Sequence, residues 1–189
     1  MALEALESLA KGLKTPGRLE AIGGMACEMI RGRLHGGQGF SPLSPATAAY
    51  RGAGRPLQDT GALRDSITHS VVGGDTVSVG TNKPHAPIQN NGGVIRARKE
   101  WLWIPAATTR KLQRRFGYSP TDVMRGLRAA GYSPFRKGRI VCYRDKRKKT
   151  RVIYYLKKSV EIPARRFFYL SERDMDILMK EAGSALEQL

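Results

Sequence analysis

The chain has 189 residues and a mass of 20.9 kDa, the size of one ordinary domain or of one domain carrying a large insertion. A hydrophobic content of 41% is enough for a core and argues against wholesale disorder, and no run approaches the roughly 18–20 apolar residues of a membrane-spanning helix. The formal charge of +17 is segregated: residues 94–158 hold 20 basic residues against the three acids Glu100, Asp122 and Asp145, whereas the remaining 124 residues hold 13 of each sign. A neutral scaffold with a cationic insertion aimed at something negative, nucleic acid or an acidic protein, is one reading; a solvated face is the other. Cys27 and Cys142 lie far apart with no short ligand spacing, so two cysteines provide neither a disulfide framework nor a zinc knuckle. The opening stretch MALEALESLAKGLK lacks the basic and continuous apolar regions of a signal peptide, and the expected compartment at synthesis is the cytoplasm.

Residues 2–14 place Leu3, Leu6, Ala10 and Leu13 near one helical stripe. Pro16 then suits the first position of a second helix, in which Leu19, Ile22, Met25, Ala26, Met29 and Ile30 recur at three- and four-residue spacing up to Leu34 and the breaker His35-Gly36-Gly37. Gly23-Gly24 lowers the stability of this helix by about 2 kcal/mol relative to two alanines, so close packing is expected there. Ser44 is a plausible cap for a short helix through Tyr50, and Thr60 to Ser66 reads as one or two helical turns capped by Asp59 or Thr60. Gly73-Gly74-Asp75 between Ile67–Val72 and Thr76–Gly80 signals a hairpin, and the alternation around Val77 and Val79 leaves one face solvated or covered by a partner.

A short helix is expected over Pro84–Asn91, with strands over Val94–Arg98 and Trp101–Ile104. Ser119-Pro120 opens another helix with Val123, Met124 and Leu127 on its apolar stripe. Arg139–Arg144 and Thr150–Leu156 flank Asp145-Lys146-Arg147-Lys148-Lys149, which predicts a longer hairpin with a cationic tip. The last helix follows a capping-box pattern at Ser171 and Asp174, with Ile177, Leu178 and Leu186 as core candidates. The fold class is α+β: N-terminal helices packed on a small, mostly antiparallel sheet, a C-terminal helix, and an inserted basic hairpin and helix subdomain.

No catalytic constellation emerges. Asp59-Thr60-Gly61 matches the triplet of retroviral-type aspartic proteases, but Gln58 precedes it and helical spacing follows, so a cap and first turn is favoured. His35, His69 and His85 have no near acidic partner and no metal spacing, and there is no nucleophile elbow, phosphate loop or dinucleotide fingerprint. No cofactor is expected, and the chain is not expected to be an enzyme. The aromatic residues within the basic block are what a single-stranded nucleic-acid groove uses, and equally what a small subdomain uses for its own core; for Trp101, Trp103, Tyr143 and Tyr155 the core role is favoured because their neighbours alternate as in strands. The candidate partner or DNA contacts are Lys146, Arg147, Lys148 and Lys149 at the hairpin tip, with Arg144 and Arg151 on its flanks.

Five segments occur in an order that resembles the virion-morphogenesis, or tail-completion, family of tailed bacteriophages. They are Phe40 to Thr47, Leu57 to Ile67, Val79 to Asn82, His85 to Gly93 and Ile162 to Phe168, the last containing Pro163-Ala164-Arg165-Arg166-Phe167. The resemblance covers residues 1–98 and 159–189 and divides the chain into that scaffold and a basic insertion, 99–158, where the family has a much shorter basic loop. The sequence also departs from the family at Asn90, where an aromatic or apolar residue is usual. The resemblance implies a structural virion protein that forms a ring, by tail symmetry a hexamer, at the head–tail junction (neck) or the top of the tail, needed for tail completion and head–tail joining. The implied partners are further copies of the chain, the connector or adaptor, and the tail-tube or tail-terminator proteins, with packaged DNA contacted through phosphates and no membrane. The implied location is the virion, after assembly in the host cytoplasm. The alternative is a sequence-nonspecific nucleic-acid-binding protein working outside a virion.

Overall fold

A computed structural model describes residues 16–184 apart from Gln38 and Ala53; the expected helix over 2–14 and the core candidate Leu186 lie outside the described residues. The chain is α+β, with antiparallel sheets and a helix near each end of the described segment. It divides into two compact units, residues 1–40, 57–91 and 164–189 forming the first and residues 41–56 and 92–163 the second.

In the first unit, α1 (Pro16–Gly36) lies on the hairpin of β1 (Ile67–Val72) and β2 (Thr76–Thr81), whose register runs from Ile67 opposite Thr81 to Val72 opposite Thr76. The turn falls on Gly73 and Gly74, both at positive φ. Alternation puts Ile67, His69 and Val71 toward the helix and leaves Thr68, Ser70 and Val72 exposed. The buried stripe of α1 is Leu19, Ala26, Cys27, Ile30 and Leu34, so the stripe is rotated from the expected one: Ile22, Met25 and Met29 are only half-buried. The rotation has a local cause. Gly23 faces β1, and a Cβ placed on it would come within 2.2 Å of the His69 ring, whereas nothing stands within 4 Å of Gly24. The core joins Cys27, Ile30 and Leu34 to Leu63, Ile67, Ala86 and Phe167.

Helix α6 (Glu172–Ser184) packs on α1 through Leu178, whereas Ile177, also a core candidate, is exposed. Its start is a reciprocal capping box: Asp174 N–H donates to Ser171 Oγ at 3.3 Å, and Ser171 N–H donates to the Asp174 carboxylate at 2.7 Å. Arg33 of α1 pairs with the same carboxylate, donates to the Tyr169 carbonyl at 2.7 Å and lies 4.2 Å over the Tyr169 ring.

The second unit is built around a four-stranded antiparallel sheet of order β4 (Leu102–Pro105), β7 (Thr150–Lys157), β6 (Ile140–Arg144), β5 (Phe135–Lys137). A two-stranded ribbon of β3 (Gly93–Arg96) and β8 (Ser159–Ile162) holds its two chain ends side by side, Gly93 opposite Ile162. The core takes Val123 and Leu127 from α5 (Pro120–Ala129), Val141 from β6, and Ile153, Tyr154 and Leu156 from β7. Ile153 and Tyr154 are consecutive yet both buried, because the register slips between Val141 and Cys142 and leaves Ile153 as an extra residue on β7. The carbonyl groups freed at this bulge are used: Ile153 O accepts from Ala106 N at 2.8 Å and from the Thr109 hydroxyl, and Val152 O accepts from the Thr108 hydroxyl.

Those hydroxyls open α4 (Thr109–Phe116), a helix that the sequence pattern does not announce. Its fully buried residues, Thr109 and Gln113, are polar, and its one apolar pair, Leu112 and Phe116, is only half-buried among four basic residues. Gln113 receives the Tyr50 hydroxyl at 2.6 Å and donates to the Tyr118 carbonyl at 2.9 Å. Arg110 donates to the Arg51 carbonyl. These bonds hold α2 (Pro45–Arg51), capped as expected by Ser44 accepting from Thr47 N–H, so residues 41–56 belong with the basic unit and not with the scaffold to which the sequence reading assigns them. The boundaries of that unit are Gly92 and Pro163, where the sequence places residues 99 and 158.

Candidate functional site

By sequence, the second unit holds 22 basic and four acidic residues, a net charge of +18, which leaves the first unit at −1. Its β6–β7 hairpin ends in the predicted cationic tip. Asp145 organises it: Lys148 N–H donates to the Asp145 carbonyl at 2.8 Å, the Arg147 and Lys149 N–H groups donate to Asp145 Oδ1 at 2.9 and 3.0 Å, and Arg151 Nε donates to Oδ2 at 2.9 Å. Loss of hydration pushes the Asp145 carboxyl upward, but the Arg151 bond and the two backbone donors outweigh it and hold the group below the ordinary carboxylate range. Lys148 sits at φ +61°, a left-handed position usually given to glycine or asparagine.

Lys146, Arg147, Lys148 and Lys149 are exposed on this tip. The two flanking candidates differ from them: Arg151 is engaged by Asp145, and the Arg144 guanidinium lies 6.0 Å over the Phe135 ring. The tip therefore offers four solvated cations on a turn whose backbone is held in shape from within.

The aromatic residues of this unit split into two pairs. Trp101 and Tyr143 pack against the core, as expected. Trp103 and Tyr155 do not: they are 39% and 41% exposed, which corrects the core role assigned to them. The two lie on opposite faces: Trp103 stands opposite buried Leu156 on the edge strand β4, and Tyr155 stands opposite Ile104 on the other face.

In the first unit, four of the five segments that carry the family resemblance meet one another; the other, Phe40 to Thr47, contributes only Phe40. Asn90, on α3 (Ala86–Asn91), accepts the backbone N–H groups of Phe167 and Phe168 on its side-chain oxygen at 3.0 and 2.9 Å. The departure at Asn90 thus supplies an acceptor for two N–H groups. Arg165, buried, donates its backbone N–H to the Gln89 carbonyl at 3.0 Å and its guanidinium to Gln89 Oε1 at 3.4 Å. Gln58 donates to the Leu34 carbonyl at 2.6 Å and to the His35 carbonyl, closing the end of α1.

Asp59-Thr60-Gly61 lies on a surface turn with Gly61 at φ +79°. The helical stretch expected after it is a single 3-10 turn, Arg64–Ser66, without a side-chain cap, and Thr60 Oγ1 instead accepts from Ala62 N–H at 3.3 Å. Sequence proximity also misjudged His69, which does have an acidic partner. Its Nε2 lies 2.8 Å from Glu20 and its Nδ1 3.6 Å from Cys27 Sγ, a Cys–His–Glu line formed where β1 crosses α1. A nucleophilic thiol requires access and thiolate character. Cys27 is buried, and that burial pushes its thiol upward, against the opposing pull of Arg31. The line joins helix to strand. Among the described residues no group of three or more His, Cys, Asp or Glu is placed to hold a metal ion, and no helix is long and apolar enough to cross a membrane.

Compared with protein-family models, with curated proteins and with solved structures, the chain matches none.

Proposed function

We propose that the chain is a structural component of a tailed-phage virion, a tail-completion-type protein that assembles as a ring at the head–tail junction or the top of the tail. The observation that supports this reading is the convergence of four of the five resembling segments. Leu57, Leu63 and Ile67, then Val79 and Ala86, then Phe167 and Phe168 contribute to one core, and the Asn90 and Gln89 bonds tie the last two segments together. Segments shared through a common fold should pack on one another in this way. The partners under this reading are other copies of the chain and the neighbouring connector and tail proteins, with no catalysed reaction.

Native mass measurement of the purified chain, alone and with tail components, tests the proposal. A closed oligomer or a stable complex with those components is expected, and a strict monomer that joins no particle overturns it. The charge of +18 on the second unit favours a second reading, a sequence-nonspecific nucleic-acid-binding protein outside the virion. A monomer with salt-dependent affinity for free DNA would favour that alternative.

A further inference from the structure

We infer that the second unit binds single-stranded nucleic acid along a groove running from Trp103 past Phe135 to the foot of the β6–β7 hairpin. The inference goes beyond the structural role proposed above and needs no ring.

The groove has two stretches. The first encloses about 820 Å³; Trp103, Met124 and Leu156 are among its apolar lining, and Arg98, Lys99, Arg128 and Arg136 are among its cations, with Glu100 its one acid. The second encloses about 610 Å³, shares Pro134 and Phe135 with the first, and extends to Arg144 and Lys146. Cations therefore line both stretches, at Arg98, Lys99, Arg128 and Arg136 in the first and at Arg144 and Lys146 in the second, where Asp145 is the one acid.

The chemistry selects the occupant. An extended polyanion neutralises the cations, but the carboxylates of an acidic peptide offer no planar face to stack on an exposed indole. A duplex keeps its base faces stacked inside. A single strand supplies both phosphates for the cations and free base faces for the ring. Trp103 is suited to that contact because it is held edge-on to Tyr154, ring centroids 5.4 Å apart, while remaining exposed. Trp101 is not: Lys158 Nζ and the Arg136 guanidinium lie over its ring at 4.2 and 5.3 Å, so it serves as a wall. Lys and Arg without base-reading geometry give affinity with little sequence preference.

Trp101 and Trp103 are the two tryptophans of the chain, so tryptophan fluorescence, excited selectively over the tyrosines, reports on this groove alone. Titration of the full chain at low salt with an oligothymidylate of about 12 nucleotides, within the site sizes of single-strand-binding folds, should quench that fluorescence saturably. Added salt should weaken binding with a logarithmic slope of about 0.7 per phosphate neutralised. Read by anisotropy of a labelled strand, Trp103→Ala should weaken binding about tenfold, whereas Trp103→Phe, which keeps a stacking ring, should retain most of it. Replacing both Arg98 and Arg128 by Ser should reduce the salt slope by about 1.4. Absence of quenching overturns the inference. So does equal quenching by polyglutamate, which would indicate an acidic-protein surface, or equal affinity for a duplex of the same length. Ring formation is read separately by mass, so failure of one proposal is distinguishable from failure of the other.

Discussion

Two adjacent glycines in α1 carry opposite consequences. At Gly23 the approach of His69 leaves no room for a methyl group, and the atoms in the way are Cδ2 and Cγ, close to the root of the ring rather than at a mobile end. Gly23→Ala should therefore displace His69, break its alignment with Glu20 and Cys27, and destabilise the protein by about 1–3 kcal/mol. Gly24 has open space around it, so Gly24→Ala should remove only the helix penalty of glycine and stabilise by up to about 1 kcal/mol. Chemical unfolding of the two variants checks the sign. Equal shifts in the same direction would mean that His69 does not lie against Gly23.

At the scale of elements, the rotated stripe of α1 determines which side chains hold it down. Ile30→Ala should cost about 2–5 kcal/mol, as for a fully buried aliphatic residue, and Met29→Ala distinctly less, since that side chain is half-exposed. Unfolding midpoints in urea compare the two. The junction of α1 with α6 should respond to acid. Burial raises the Asp174 carboxyl, but its bonds to the Ser171 hydroxyl and N–H, together with Arg33, outweigh this and leave it below the ordinary value. A group lowered in this way contributes stability that is fully present above the unfolded-state value, about 3.9. That contribution is lost as the pH falls through the folded value. Stability should thus decline below about pH 4, and Asp174→Asn should flatten part of that decline in a series of thermal melts at graded pH.

Some of these elements announce themselves in the sequence and others do not, for physical reasons. α1, the β1–β2 hairpin, α5 and the α6 capping box are legible because their signals are local: a proline at the first turn, a glycine pair between alternating strands, a serine three residues before an acid. α4 is hidden because its fully buried positions, Thr109 and Gln113, are polar and only Leu112 and Phe116 mark its apolar side. β5 and β8, Phe135–Lys137 and Ser159–Ile162, are short and become strands through their partners β6 and β3. The contact of His69 with Glu20 spans 49 residues and exists only once β1 lies on α1. The tip Lys146–Lys149 was visible as a charge run on a turn, whereas the groove beside Trp103 required the sheet.

For the whole molecule, separation of charge between the units means that the cationic tip can be altered without touching either core. Changing Lys146, Arg147, Lys148 and Lys149 together to Ser removes four exposed charges and none of the residues of the two cores. The unfolding midpoint should be unchanged, and under the proposed virion role the ring should still form while particles fail to join or lose their DNA, because the field toward a negative partner is gone. Infectivity and particle composition report the result; normal particles would show the run to be a solvated face.

The pairing of β3 with β8 also bears on the order in which the chain can fold. Asn90 and Phe167, whose contact helps complete the first unit, are 77 residues apart, and Asn90 is made before the second unit's 92–163 segment while Phe167 is made after it. Once Gly93 meets Ile162, the same two residues are separated by a short effective loop, and the entropy of bringing them together falls by about 2 kcal/mol. A β3–β8 ladder formed first would therefore lower the entropic cost of completing the first unit. A break in the β3–β8 ladder, such as Ile95→Pro, should slow appearance of the Phe167 core in refolding more than it slows the four-stranded sheet.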